Sequence, residues 1–141
     1  MTDAQFLVDR SLELGDLEAD CEVEEQSKAT VVNLTRKVDK NWPKVVTKFL
    51  NPVQVVQIVE KWQPDGQGSW KGDYSSEIEG QPVTIRAKFK LYPTDSGCCY
   101  SIEYHVKAKI PMVGKTVEKF VHGQAEEGST SELDYAQSYL G

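Results

Sequence analysis

Between residues 17 and 25 the chain alternates without a break, Leu17, Ala19, Cys21 and Val23 on one side and Glu18, Asp20, Glu22 and Glu24 on the other. A period of two marks a half-buried strand, here with an acidic outer face. Gln26, Ser27 and Lys28 form a hairpin, after which Thr30, Val32, Leu34, Arg36 and Val38 share the inner face of a second strand. A third strand covers residues 53–62, where β-branched residues occupy both faces and neither can be assigned inward. The segment 64–68 turns the chain, and Trp70, Gly72, Tyr74 and Ser76 share one face of a fourth strand. After the turn at 79–82, Val83, Ile85, Ala87, Phe89 and Leu91 alternate with Thr84, Arg86, Lys88 and Lys90 in a fifth. The sixth places Cys98, Tyr100, Ile102, Tyr104, Val106, Ala108 and Ile110 inward.

Helical spacing frames this series. Phe6, Leu7, Leu12 and Leu14, with Thr2 or Asp3 as cap and Gly15 as stop, predict a short helix over residues 2–14. Pro43 opens a helical turn over 43–50 before Asn51 and Pro52 break it, a segment placed to act as a lid. From Met112 to Leu140 there is no proline, and Val113, Val117, Phe120, Val121, Tyr135 and Tyr139 recur at helical intervals. The inward stripe of this long helix reads Val117, Phe120, Gln124, Gly128, Ser131 and Tyr135, small or polar at its centre. The fold class is α+β: a curved antiparallel sheet of about six strands wrapped on a long C-terminal helix.

The 141 residues suit one domain, 1–141, with a sizeable core. With 16 Lys+Arg against 22 Asp+Glu the net charge is −6, which disfavours nucleic acid or an anionic membrane surface as partner. No apolar stretch approaches the roughly 20 residues of a membrane span, and the N-terminus carries no secretion signal. Three cysteines, two of them adjacent at Cys98 and Cys99 with no C-x-x-C, spell neither a disulfide framework nor a zinc site. A cytoplasmic setting without metal or cofactor is expected.

The order of elements, together with the run Ile110-Pro111-Met112-Val113-Gly114-Lys115-Thr116-Val117-Glu118-Lys119, resembles the START-like (SRPBCC) helix-grip superfamily. It looks like a bacterial branch of unknown function in which an apolar-Pro-x-x-Gly-x-x-x-Glu step joins the last strand to the last helix. Gly15, the 62–68 turn, Gly80-Gln81-Pro82 and Gly97 fit the same pattern. The resemblance covers the whole chain except at its start: the superfamily opens with a strand and a helix, whereas this chain begins where the second helix stands. That implies two unpaired edges, residues 17–25 and 98–109, which a homodimer or the first helix would cover.

The resemblance also implies non-catalytic binding of an apolar or amphipathic small molecule, a lipid or polyketide-like compound, between sheet and helix. Residues placed to line such a site are Arg36, Ile58, Glu60, Trp70, Tyr74, Phe89, Tyr100, Tyr104, Phe120, Gln124, Gly128 and Tyr135. Alternatively these aromatics fill the space. Arg36 on an inner face needs an acidic partner, for which Glu60 is a candidate, or an anionic ligand, unless it reaches water at the strand end. A cyclase- or hydrolase-like enzyme and a protein-interaction module built on the sheet edges are the rival functions. No catalytic arrangement is spelled. His105 lies on the outward side of its strand, His122 beside Glu126, and Glu126, Glu127, Glu132 and Asp134 read as a solvated helix face. Gly114-Lys115-Thr116 lacks the earlier glycine of a phosphate-binding loop, because Lys109 stands there.

Overall fold

Asp3 accepts a hydrogen bond from the Phe6 amide at 2.8 Å, which caps helix α1 over Ala4–Glu13. The computed structural model describes residues 2–39, 53–80, 83–109 and 114–140. Leu7, Arg10 and Ser11, three and four residues apart, form the buried stripe of α1. Gly15, with φ at 108°, ends it and turns the chain into the sheet.

Six strands follow in chain order: β1 Glu18–Glu25, β2 Thr30–Asp39, β3 Val53–Pro64, β4 Trp70–Ile78, β5 Val83–Thr94 and β6 Gly97–Ala108. Each pairs antiparallel with the next, giving one curved sheet ordered β1-β2-β3-β4-β5-β6. Helix α2, Gly114–Leu140, closes the series. This is the α+β architecture that the alternation implies. The helical turn and lid expected at 43–50 lie outside the described residues.

Because side chains in a strand alternate, the register assembles inward positions into rungs across the sheet. One rung carries Val23, Val32, Glu60, Tyr74, Ala87 and Tyr104, and the next Cys21, Leu34, Ile58, Ser76, Ile85 and Val106. On β3 the inward set is thereby settled as Gln54, Val56, Ile58, Glu60 and Trp62. Two buried clusters sit on this face. Near α1, Leu7 packs with Val32, Trp62 and Phe89; near the start of α2, Val117 and Val121 pack with Ile78, Val83, Ile85 and Ala108. In the first cluster the Trp62 and Phe89 ring centroids are 4.5 Å apart, and Gly72 lies between their strands. A Cβ at Gly72 would strike the Lys61 carbonyl oxygen and the Phe89 ring, so glycine is required there for packing.

Cys98 is exposed, not inward as the alternation suggests, because it faces Pro93 at the far end of the β5–β6 hairpin. The outer edge of β6 is met by α2. Glu118 Oε1 accepts from the Ala108 amide at 3.0 Å, and His122 Nε2 donates to the Tyr104 carbonyl at 3.2 Å. His122 is therefore a half-buried edge contact that also faces Glu126 through Nδ1 at 2.6 Å, where the sequence suggests a solvated side chain. At the other edge α1 packs along β1, and Phe6 meets Tyr135 of α2 with ring centroids 5.7 Å apart.

Candidate functional site

Between the two clusters the inner face of the sheet is left unfilled, and a cavity of about 130 Å³ lies under α2. Its wall is laid down by the rungs. Leu34, Val38, Val56, Ile58, Ile78 and Ile85 provide apolar surface, while Glu60, Tyr74 and Tyr104 come from one rung and Tyr100 from β6 nearer the hairpin. Helix α2 contributes Val121, Gln124, Ala125, Gly128, Ser129, Glu132 and Leu133, and α1 contributes Arg10.

Eight of the residues singled out from the sequence line this space: Arg36, Ile58, Glu60, Tyr74, Tyr100, Tyr104, Gln124 and Gly128. Four do not. Trp70 and Phe89 belong to the Trp62 cluster, Phe120 packs on the Val117 cluster, and Tyr135 is taken by Phe6. The aromatics thus fill one end of the concave face and leave the middle open. The helix stripe is also rotated: Ser131 is exposed, whereas Val121, Ala125, Ser129, Glu132 and Leu133 turn toward the sheet. The Tyr104 hydroxyl and the Ser129 hydroxyl form a hydrogen bond that ties β6 to α2 across the cavity.

The charged end lies toward α1. Arg36 Nε and Nη2 donate to Asp16 Oδ2 and Oδ1 at 2.6 and 2.9 Å, a bidentate pair. Asp16, not Glu60, is the partner of Arg36, and the reason is register. Arg36 sits opposite Val56 while Glu60 sits opposite Val32, four residues away, about 13 Å along the strand. Glu132 Oε1 stands 3.7 Å from Arg10 Nη2 and 3.9 Å from Arg36 Nη1. The carboxylate read as part of a solvated face therefore turns inward between two guanidiniums.

Glu60 Oε2 accepts from Trp62 Nε1 at 2.8 Å. Burial in the cavity pushes the Glu60 carboxyl above its ordinary value and the charge of Glu132 adds to this, against the opposing effects of the Trp62 hydrogen bond and Arg10. Burial likewise raises the phenols of Tyr74, Tyr100 and Tyr104, so all three are neutral hydroxyls. At the other end Gln54, 4% exposed, lines the cavity with an Nε2 that has no hydrogen-bond partner among the described residues.

Arg10, Gln54, Ser76 and Glu132 are site residues that sequence reasoning missed. For Arg10 there was a signal, its three-residue spacing from Leu7 on a short helix. For Gln54 the signal was its even spacing from Trp62, hidden by β-branched neighbours on both faces. Among the described residues no group of three or more His, Cys, Asp or Glu side chains is arranged to hold a metal ion, and no helix is long and apolar enough to cross a membrane.

The profile of one protein family matches residues 1–140. The chain belongs to DUF2505, a family of proteins of unknown function. No curated protein and no solved structure matches it. The six-stranded sheet and terminal helix of this DUF2505 protein are compatible with a helix-grip fold. Its cavity, with a charged end and apolar walls, is a concave feature that a functional reading has to explain.

Proposed function

We propose that this DUF2505 protein is a START-like helix-grip protein that binds a small amphipathic molecule, without catalysis, in the cavity between sheet and C-terminal helix. The observation that carries the reading is the cavity itself: apolar walls from five strands, a polar end, and a buried Gln54 amide whose Nε2 has no partner among the described residues. Apolar burial supplies affinity at roughly 25 cal/mol per Å², and a few placed polar groups fix orientation. The volume of about 130 Å³ sets the scale. Cavities near 150 Å³ hold a benzene-sized guest, so the buried part of the ligand is a ring or a short acyl segment of a lipid or polyketide-like compound. Three free cysteines suit a cytoplasmic site of action. Two backbone groups of the β6 edge are already taken by Glu118 and His122, and the single chain is the binding unit in this reading.

Amide NMR spectra titrated with 1-hexanol test it. Saturable shifts centred on Ile58, Ser76 and Tyr104 are expected. Absence of shifts, or shifts scattered over the outer face of the sheet, would rule the cavity out as a binding site.

A further inference from the structure

The two ends of the cavity differ in what they lack. At the charged end Asp16, Glu60 and Glu132 meet Arg10, Arg36 and the N-terminal amine, which acts on Glu60 beside Arg10. Three carboxylates thus stand against three cations, and that end balances its own charge. At the opposite end the Gln54 side chain is 4% exposed, lines the cavity, and holds an Nε2 with no hydrogen-bond partner among the described residues. Resting on the reading of the cavity as a small-molecule site, we propose that its ligand is a neutral carbonyl compound, a ketone, ester or amide, whose oxygen accepts a hydrogen bond from Gln54 Nε2 while its apolar body lies on Val56, Ile58, Ile78 and Ile85.

The register explains why the amide stands alone. Gln54 pairs with Val38 on β2, and the next inward position on β3 is Val56. The inward charged residue nearest on β2 is Arg36, opposite Val56, whose guanidinium has donors only and is held by Asp16. It cannot accept from Nε2. A buried donor without an acceptor is a standing cost to the fold, and a ligand oxygen removes it. A buried water needs about 2–4 polar partners to be held, whereas a carbonyl oxygen is satisfied by one donor, which is what the apolar surroundings of Gln54 offer.

The head of the ligand therefore points away from the charged end. Along β3 the inward positions run Gln54, Val56, Ile58 and Glu60, so the amide and the carboxyl stand six residues apart, about 20 Å along the strand. A small molecule held at Gln54 covers the apolar middle and stops short of the ion pairs. Charged analogues fit worse: an ammonium finds no acceptor at Nε2, and a carboxylate brings an unpaired charge against an apolar wall.

The test uses the full chain at neutral pH with 2-hexanone, hexanoate and hexylamine as probes and toluene as an apolar reference. Calorimetric titration should place 2-hexanone about tenfold or more above both charged probes, which lose their hydration on entry. In NMR spectra of the parent chain the Gln54 side-chain NH2 pair, identified by triple-resonance assignment, should move downfield as 2-hexanone saturates. Gln54→Leu should lower the ratio of 2-hexanone to toluene affinity about tenfold, as loss of a buried hydrogen bond warrants. Saturable 2-hexanone binding that leaves the NH2 pair in place, or an unchanged ratio in the folded variant, overturns the inference and leaves the cavity reading standing. Either charged probe binding as tightly as 2-hexanone overturns the neutral class. Failure of all four to bind overturns the inference and the cavity reading together. The NH2 measurement needs no variant, so a Gln54→Leu chain that fails to fold leaves the inference open to refutation.

Discussion

Arg36 and Asp16 are joined by two hydrogen bonds of 2.6 and 2.9 Å, with the Asp16 side chain 5% and the Arg36 side chain 20% exposed. The pair fixes the α1–β1 connection to the second strand at the charged end of the cavity. Removing one member leaves the other enclosed without its partner, the costly way to break a buried pair. Asp16→Ala should lose about 3 kcal/mol in urea unfolding, and adding Arg36→Met to it should recover a large part of that loss. A single-variant loss below about 0.5 kcal/mol, typical of a surface site, would show that the pair does not hold this end together.

Glu60 makes stability depend on pH in an unusual direction. Its folded-state value lies above the ordinary 4.5 because burial penalises the charge. The protonated carboxyl is the form the fold favours, so its contribution is complete below that ordinary value and disappears as pH rises through the raised one. Glu60→Gln should therefore melt higher than the parent chain at pH 8, with the gap closing toward pH 4. Scanning calorimetry across that range checks it. A gap independent of pH would mean that Glu60 is not the group responsible.

Gly72 is the place where the smallest added side chain should do most harm. A methyl group there meets the Lys61 carbonyl and the Phe89 ring, and overpacking of this kind costs about 1–3 kcal/mol. Gly72→Ala should lower the melting temperature and weaken the near-ultraviolet signal of Trp62 and Phe89. Full retention of both would show that the ring has room to move aside.

Gly128 offers the opposite case. Apart from its own stretch of helix, no atom lies within 4 Å of a Cβ built on it, and it lines the cavity. Gly128→Leu should gain about 0.8 kcal/mol from helix propensity while its side chain competes with 1-hexanol for the cavity. Stabilisation with unchanged hexanol binding would place the new side chain in solvent.

The strands and their order were legible because alternation is a local property. Residues 17–25, 30–38 and 83–91 each carry their own inner face in composition, and six of six strands follow. What local pattern could not supply was phase on elements with mixed faces and pairing over long separations. Residues 53–59 offer β-branched side chains on both sides of β3, so only pairing with β2 shows that Gln54 and Glu60 face inward. On α2, small and polar residues at the centre leave the apolar stripe too weak to fix rotation, and Glu132 reads as solvated although it meets Arg10, 122 residues earlier in the chain. Arg36 could be recognised as needing a partner. Choosing Asp16 over Glu60 required the register.

The two hydrogen bonds that link Glu118 and His122 to the backbone of β6 involve an element made after the whole sheet. During synthesis the six strands leave the ribosome before α2 does, and until the helix docks, the β6 edge offers the Ala108 amide and the Tyr104 carbonyl to any passing strand. Order of manufacture thus leaves an interval in which the nascent sheet can pair with the wrong neighbour. Glu118 and His122, both in the first third of α2, shorten that interval, since they can close the edge before the C-terminal turns of the helix have docked.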